Sequence, residues 1–162
     1  MEKSMNRIPF IFFITGILSP LPLFLMTIFI LFYPASVSIQ KLIISFVSYA
    51  VILLSFTGGI NWILAMQKPI LYLQSESEEI NKKRMLLAIS PCIIGEITIV
   101  LTIYKYDLIA IFLLISSYML LFSYEKKIYL SSELPGGYYS IRWILTIMIE
   151  VCLISAFIAR LI

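Results

Sequence analysis

The chain has 162 residues, 61% of them hydrophobic and 13% charged, with a mean hydropathy of +1.02. Soluble domains are about 45 to 50% apolar, so most of this chain is expected to have a bilayer as its solvent. A net charge of +3 from 12 basic and 9 acidic residues is too small and too dispersed for a nucleic-acid surface, and the absence of histidine removes the commonest metal ligand and the usual acid–base residue.

Five long apolar runs follow in order: 9–32, 42–66, 85–103, 108–124 and 143–161. Each is near spanning length, and inside hydrocarbon their backbone amides need internal partners. Barrel strands would alternate apolar and polar residues, whereas Leu108 to Leu121 is apolar on almost every position. The expected fold is therefore all-α, a polytopic bundle of about five transmembrane helices forming a single membrane domain over 1–162. The first run is too long for a cleavable signal and lacks an A-x-A site, so it reads as a retained helix. Gly16, Ser19, Pro20 and Pro22 should kink or break it.

Tyr33-Pro34 ends the first run, Gln67-Lys68-Pro69 the second, and Tyr104-Lys105-Tyr106-Asp107 separates the third from the fourth, while Trp143 opens the fifth. The loops 67–84 and 125–142 are too short for a separate domain. Glu78 to Lys82 and Glu79 to Lys83 have the spacing of helical ion pairs, so the charged stretch before the third run reads as a solvated extension of that helix. Five crossings place the N-terminus and both loops on one side. That side carries Lys3, Arg7, Lys68, Lys82, Lys83, Arg84, Lys126, Lys127 and Arg142, against Lys41, Lys105 and Arg160 on the other. The positive-inside rule makes the N-terminus cytoplasmic and the C-terminus opposite. The expected location is a bacterial cytoplasmic membrane, with the mitochondrial inner membrane as the alternative. Tyr138 and Tyr139, with the other tyrosines near run ends, read as an interfacial belt.

Two carboxylates fall deep inside runs, Glu96 in the third and Glu150 in the fifth. A charge at mid-span costs about 2.5 to 3.5 kcal/mol on insertion scales, so each should face protein or water. Arg142, Thr146 and Glu150 recur every four residues along one stripe. Ala88, Cys92 and Gly95 on the third run, and Gly58, Gly59 and Asn61 on the second, supply small and polar sides that let helices approach. The expectation is a polar site between runs two, three and five made of Glu96, Glu150, Asn61, Thr146 and Arg142, with Gly58, Gly59 and Gly95 packing helices. The bland alternative is that each glutamate bonds a neighbouring group and holds helices in register. Leucine and isoleucine dominate the fourth run, which suggests the greatest lipid exposure. Cys92 and Cys152 lie within apolar runs and read as packing residues.

Tyr49 through Trp62, with Ser55-Phe56-Thr57-Gly58-Gly59-Ile60-Asn61 at its centre, resembles the characteristic stretch of a small membrane family of unknown function, with bacterial and mitochondrial inner-membrane members. Leu134-Pro135-Gly136-Gly137-Tyr138, continuing through Ile141-Arg142 to Leu145-Thr146, is similar to a second segment of that family, and Ser90-Pro91 to a third. Asn61 stands where the family commonly has histidine, and Gly137 where it has tryptophan. The resemblance implies a compact multi-pass inner-membrane protein and carries no activity. Arg142, at the mouth of the fifth run, most simply snorkels to the headgroups.

With no phosphate loop and no catalytic constellation, the expectation is a non-enzymatic accessory or assembly component without cofactor or metal. Its partners would be the lipid bilayer and another membrane protein or a second copy of the chain, not nucleic acid. The alternative is a proton- or ion-linked carrier of small solutes using Glu96 and Glu150. Compartment reporters fused to the two termini should fall on opposite sides of the membrane; finding both on one side removes the odd number of crossings.

Overall fold

A computed structural model of the chain describes residues 14, 16–32, 39–67, 74–129 and 137–161, and for 64–67 and 74–81 the backbone alone. Lys3, Arg7, the start of the first run, Tyr33-Pro34, Lys68-Pro69, the side chains of Glu78 and Glu79, and Leu134-Pro135-Gly136 lie outside the described residues. Within them the chain is helical, without strands. The helices are α1 (Leu21–Phe32), α2 (Ile39–Gln67), α3 (Gln74–Ile103), α4 (Asp107–Ile128) and α5 (Tyr138–Leu161). Four segments are long and apolar enough to cross a membrane, Ile39–Ile63, Lys82–Ile103, Asp107–Ile128 and Tyr138–Leu161, and Gly16–Phe32 is a shorter apolar helix.

The first run breaks where its prolines demand. Ser19 and Pro20 form a turn, and the Ser19 amide and hydroxyl both donate to the Gly16 carbonyl, at 3.1 and 2.7 Å. Tyr49 of α2 donates its hydroxyl to the Ser19 carbonyl at 2.7 Å, which pins the break to the bundle. At the other sharp corner, α3 ends with Lys105 at φ 65°. The Tyr106 amide reaches the Leu101 carbonyl at 2.9 Å and the Lys105 amide the Thr102 carbonyl at 3.0 Å. This is the Schellman pattern with lysine in the left-handed position usually held by glycine. It returns the chain at once into α4, whose first turn carries Asp107 and whose last turn carries Lys126 and Lys127, as the helix dipole favours.

Consecutive helices are neighbours, and α1 closes the ring against α5, with α2 and α4 in contact across the middle. Hydroxyls inside the helices are satisfied internally, as lipid requires. Thr98 donates to the Ile94 carbonyl at 2.7 Å and Thr102 to the Thr98 carbonyl at 2.9 Å. Pro91 interrupts α3, leaving the Leu87 carbonyl without its usual amide, and the Ser90 hydroxyl turns back to that oxygen at 3.5 Å.

The fourth run is not the most lipid-exposed. α4 buries Ala110, Ile111, Leu114 and Tyr118 completely and touches α2, α3 and α5. Leucine and isoleucine are equally at home against lipid and against protein, so their abundance does not choose a face.

Small residues set the α2–α3 contact. A Cβ on Gly58 would lie 2.6 Å from the Ala88 carbonyl oxygen and 3.1 Å from Pro91 Cγ, and one on Gly95 would lie 2.5 Å from Val51 Cγ1. Gly59 is exposed and a Cβ there meets nothing within 4 Å, so it takes no part in this contact. Gly58→Ala should destabilise the bundle by about 1 to 3 kcal/mol because backbone cannot move aside, Gly95→Ala by less because Val51 can turn, and Gly59→Ala hardly at all. Unfolding by sodium dodecyl sulfate in mixed micelles reads the order.

Candidate functional site

Polar side chains gather at three heights. At the end where α4 finishes and α5 begins, Glu125 is fully buried. Arg142 Nε donates to its Oε2 at 2.9 Å, and the Tyr138 hydroxyl donates to its Oε1. One helix turn on, the Tyr129 hydroxyl donates to the Asn61 carbonyl at 3.2 Å, and Tyr139 donates to the Tyr129 carbonyl at 2.7 Å. The buried Arg84 guanidinium lies over the Tyr129 ring, 4.6 Å from its centroid. Asn61 Nδ2 bonds the Thr57 carbonyl at 3.1 Å. Four helices are tied together at this mouth.

At the opposite end Arg160 Nη2 donates to Asp107 Oδ2 at 3.1 Å, and Gln40 Nε2 donates to Asp107 Oδ1 at 3.1 Å and to the Thr102 carbonyl at 3.3 Å. Midway, the fully buried Tyr118 donates to the Ala50 carbonyl at 2.7 Å. The bonds from α2 to α4 therefore pair 40 with 107, 50 with 118 and 61 with 129, a parallel register of near-constant offset, with steps of about three helical turns.

The expected site residues divide. Glu150 is 5% exposed, and eight residues from each member of the Arg142–Glu125 pair the antiparallel register sets it opposite Ser117. Asn61, Thr146 and Arg142 are also buried, with the Thr146 hydroxyl donating to the Arg142 carbonyl at 2.8 Å. Glu96 does not join them. It is exposed on the outward face of α3, a helix that is not a packed neighbour of α5. The polar interior thus lies between α2, α4 and α5, not between the second, third and fifth runs, and the two glutamates share no chamber. The reason is rotation: each depth follows from helical rise, but the facing of α3 is set by Gly58, Pro91 and Gly95 against α2.

Arg142 does not snorkel; it is 4% exposed and ion-paired. Sequence reasoning missed Glu125, Arg84 and Tyr129 because it read 125–142 as a loop and the stretch before the third run as a solvated extension of that helix; the helix does begin at Gln74, but Arg84 within it is buried, and α4 continues to Ile128. It also took Tyr138 and Tyr139 for belt residues. One signal was available: Asp107 and Glu125 are separated by the same interval as Arg142 and Arg160.

Among the described residues, no three His, Cys, Asp or Glu side chains converge as a metal site. Buried atoms without a hydrogen-bond partner among the described residues include Arg142 Nη2, Asn61 Oδ1 and both carboxyl oxygens of Glu150.

The family described as "Protein of unknown function (DUF3429)" matches residues 8–158. No curated protein and no solved structure matches the chain.

Glu125→Gln leaves Arg142 buried without a counter-charge and should cost about 3 to 5 kcal/mol. The double variant Glu125→Gln, Arg142→Gln should recover most of it; micellar unfolding of the two singles and the double gives the coupling.

Proposed function

Since the chain belongs to that family, whose description assigns no activity, we propose from its geometry that it is a non-enzymatic accessory subunit of an inner-membrane assembly. Its bundle is locked internally, and it offers the outward face of α3 to another membrane component. The observation that carries this reading is Glu96, exposed on a surface otherwise formed by Ile93, Ile97 and Val100. Seven residues before the end of α3, it lies about 10 Å below that end, too deep for a short side chain to regain water. Left in lipid it costs about 2.5 to 3.5 kcal/mol, a cost that a partner helix with a donor would remove.

The membrane is the bacterial cytoplasmic membrane, or the mitochondrial inner membrane by the same charge argument. Lys82, Lys83, Arg84, Lys126, Lys127 and Arg142 cluster at the Glu125 end, against Lys41, Lys105 and Arg160 at the Asp107 end. That asymmetry supports a cytoplasmic or matrix position for the Glu125 end. The carrier alternative called for two carboxyls in one cavity, and the outward facing of Glu96 leaves it with one.

A photo-crosslinking amino acid at Ile93 or Ile97, in native membranes, should yield a discrete protein adduct. The same group at Ile158 of α5 should yield lipid adducts. Glu96→Leu should lower the protein adduct about fivefold, the value of an intramembrane hydrogen bond of order 1 kcal/mol. Lipid adducts alone at 93 and 97 would refute the reading.

A further inference from the structure

Glu150 stands at mid-depth, eight residues from Arg142 and ten from Arg160, about 12 Å and about 15 Å along α5 from the two ion pairs. It is 5% exposed and neither carboxyl oxygen has a partner among the described residues. The hydroxyls that register and helical spacing place beside it have their protons committed elsewhere. Ser117 donates to the Leu113 carbonyl at 2.6 Å, Thr146 to the Arg142 carbonyl at 2.8 Å and Tyr118 to the Ala50 carbonyl at 2.7 Å. Each of those oxygens still accepts. These three hydroxyls therefore offer acceptors and no free proton, and the unpartnered Arg142 Nη2 belongs to a guanidinium already paired with Glu125 about 12 Å along α5, a setting that suits a carboxylic acid with its own O–H.

Toward the Glu125 end two further buried atoms lack partners among the described residues, Arg142 Nη2 and Asn61 Oδ1, and orphaned buried polar atoms of this kind are ordinarily bridged by ordered water. At the Asp107 end Arg160 Nε also lacks one, at the mouth, on a side chain that is 32% exposed. Toward the Asp107 end the core closes with Leu153 and Ala156 of α5, Ile111 and Leu114 of α4, and Ile43 and Val47 of α2, all at 0% exposure. The buried hydroxyls on that side, Thr27, Thr98 and Thr102, all donate to carbonyls of their own helices, at 2.8, 2.7 and 2.9 Å.

We propose that Glu150 is a proton-binding site at the middle of the membrane, loaded and unloaded through bound water from the Glu125 end alone. The titratable and charged groups at its height or between it and that mouth are Tyr118 of α4, Arg142 of α5 and, at the same depth on α2, Tyr49; Cys152, two residues on, lies on the opposite side of α5, and Leu21–Phe32 of α1 contains none. Arg142 is already paired with Glu125 at the mouth. The site reads the proton activity of one compartment and conducts nothing across, because the apolar plug separates it from the other. It does not depend on the α3 surface, since α3 is not packed on α5.

The test uses the full chain in right-side-out and inverted vesicles. Infrared spectra at neutral pH should contain the carbonyl stretch of an un-ionised carboxylic acid that is lost in Glu150→Gln and returns, shifted, in Glu150→Asp. Alkaline buffer outside should bleach this band in the orientation that exposes the Glu125 end and leave it intact in the other. No band assignable to residue 150, a band that bleaches from the Asp107 end, or one that responds from neither side overturns the proposal. Crosslinking at Ile93 can fail without affecting any of these readings.

Discussion

Two ion pairs fix the geometry of the bundle. Glu125 and Asp107 on α4 are paired with Arg142 and Arg160 on α5, and on each helix the two charges lie eighteen residues apart. Eighteen residues are five turns, so both charges on each helix point to the same side, and their separation is about 27 Å. That length is close to the roughly 30 Å of a bilayer's hydrocarbon core. Both pairs also obey one antiparallel register, so the hairpin is fixed in rotation and in height together. Buried ion pairs are weak evidence for net stability, but a matched couple at both ends penalises any slip of α4 past α5, which would leave two charges unpaired at each end.

The rest of the frame hangs on α4. Gln40, Ala50 and Asn61 tie α2 to it at the Asp107 end, the middle and the Glu125 end through hydrogen bonds of nearly constant sequence offset. The helix that connects them, α3, is seated on α2 by close contact at Gly58 and Gly95, with one hydrogen bond from Gln40 to the Thr102 carbonyl at its end. This division follows from the solvent. Lipid supplies no hydrophobic drive between helices, so association rests on close packing where residues are small and on hydrogen bonds where they are polar.

Much of the architecture was legible in the sequence, because span length and proline position act locally. The break at Ser19-Pro20 and the hairpin at Lys105 follow from neighbours in the chain. What stayed hidden depends on rotation. The depths of Glu96 and Glu150 could be counted off by helical rise, but whether each faced protein or lipid could not, since both sides of α3 are apolar and the amphipathic signal of soluble helices is missing. The Glu125–Arg142 pair was hidden for another reason. Charged residues at the end of an apolar run look like headgroup anchors, and a hairpin that buries them against each other leaves no local mark beyond the equal intervals on two consecutive helices.

The two ion pairs and Glu150 therefore need different accounts. The paired charges keep the helices in register, since each meets its counterpart on another helix. Glu150 meets none among the described residues, and the hydroxyls beside it are bonded within their own helices or to α2. An apolar side chain of similar size would pack at that height without the desolvation cost of a carboxyl and without loosening the frame, since replacing buried charge by well-packed apolar groups is often neutral or stabilising. Helix registration thus explains Glu125, Asp107, Arg142 and Arg160 but gives no reason for an acid at position 150. What distinguishes that position from its apolar neighbours Ile149 and Leu153 is the capacity to hold and release a proton, between the unpartnered Arg142 Nη2 and Asn61 Oδ1 toward one end and the fully buried Ile111, Leu114 and Leu153 toward the other.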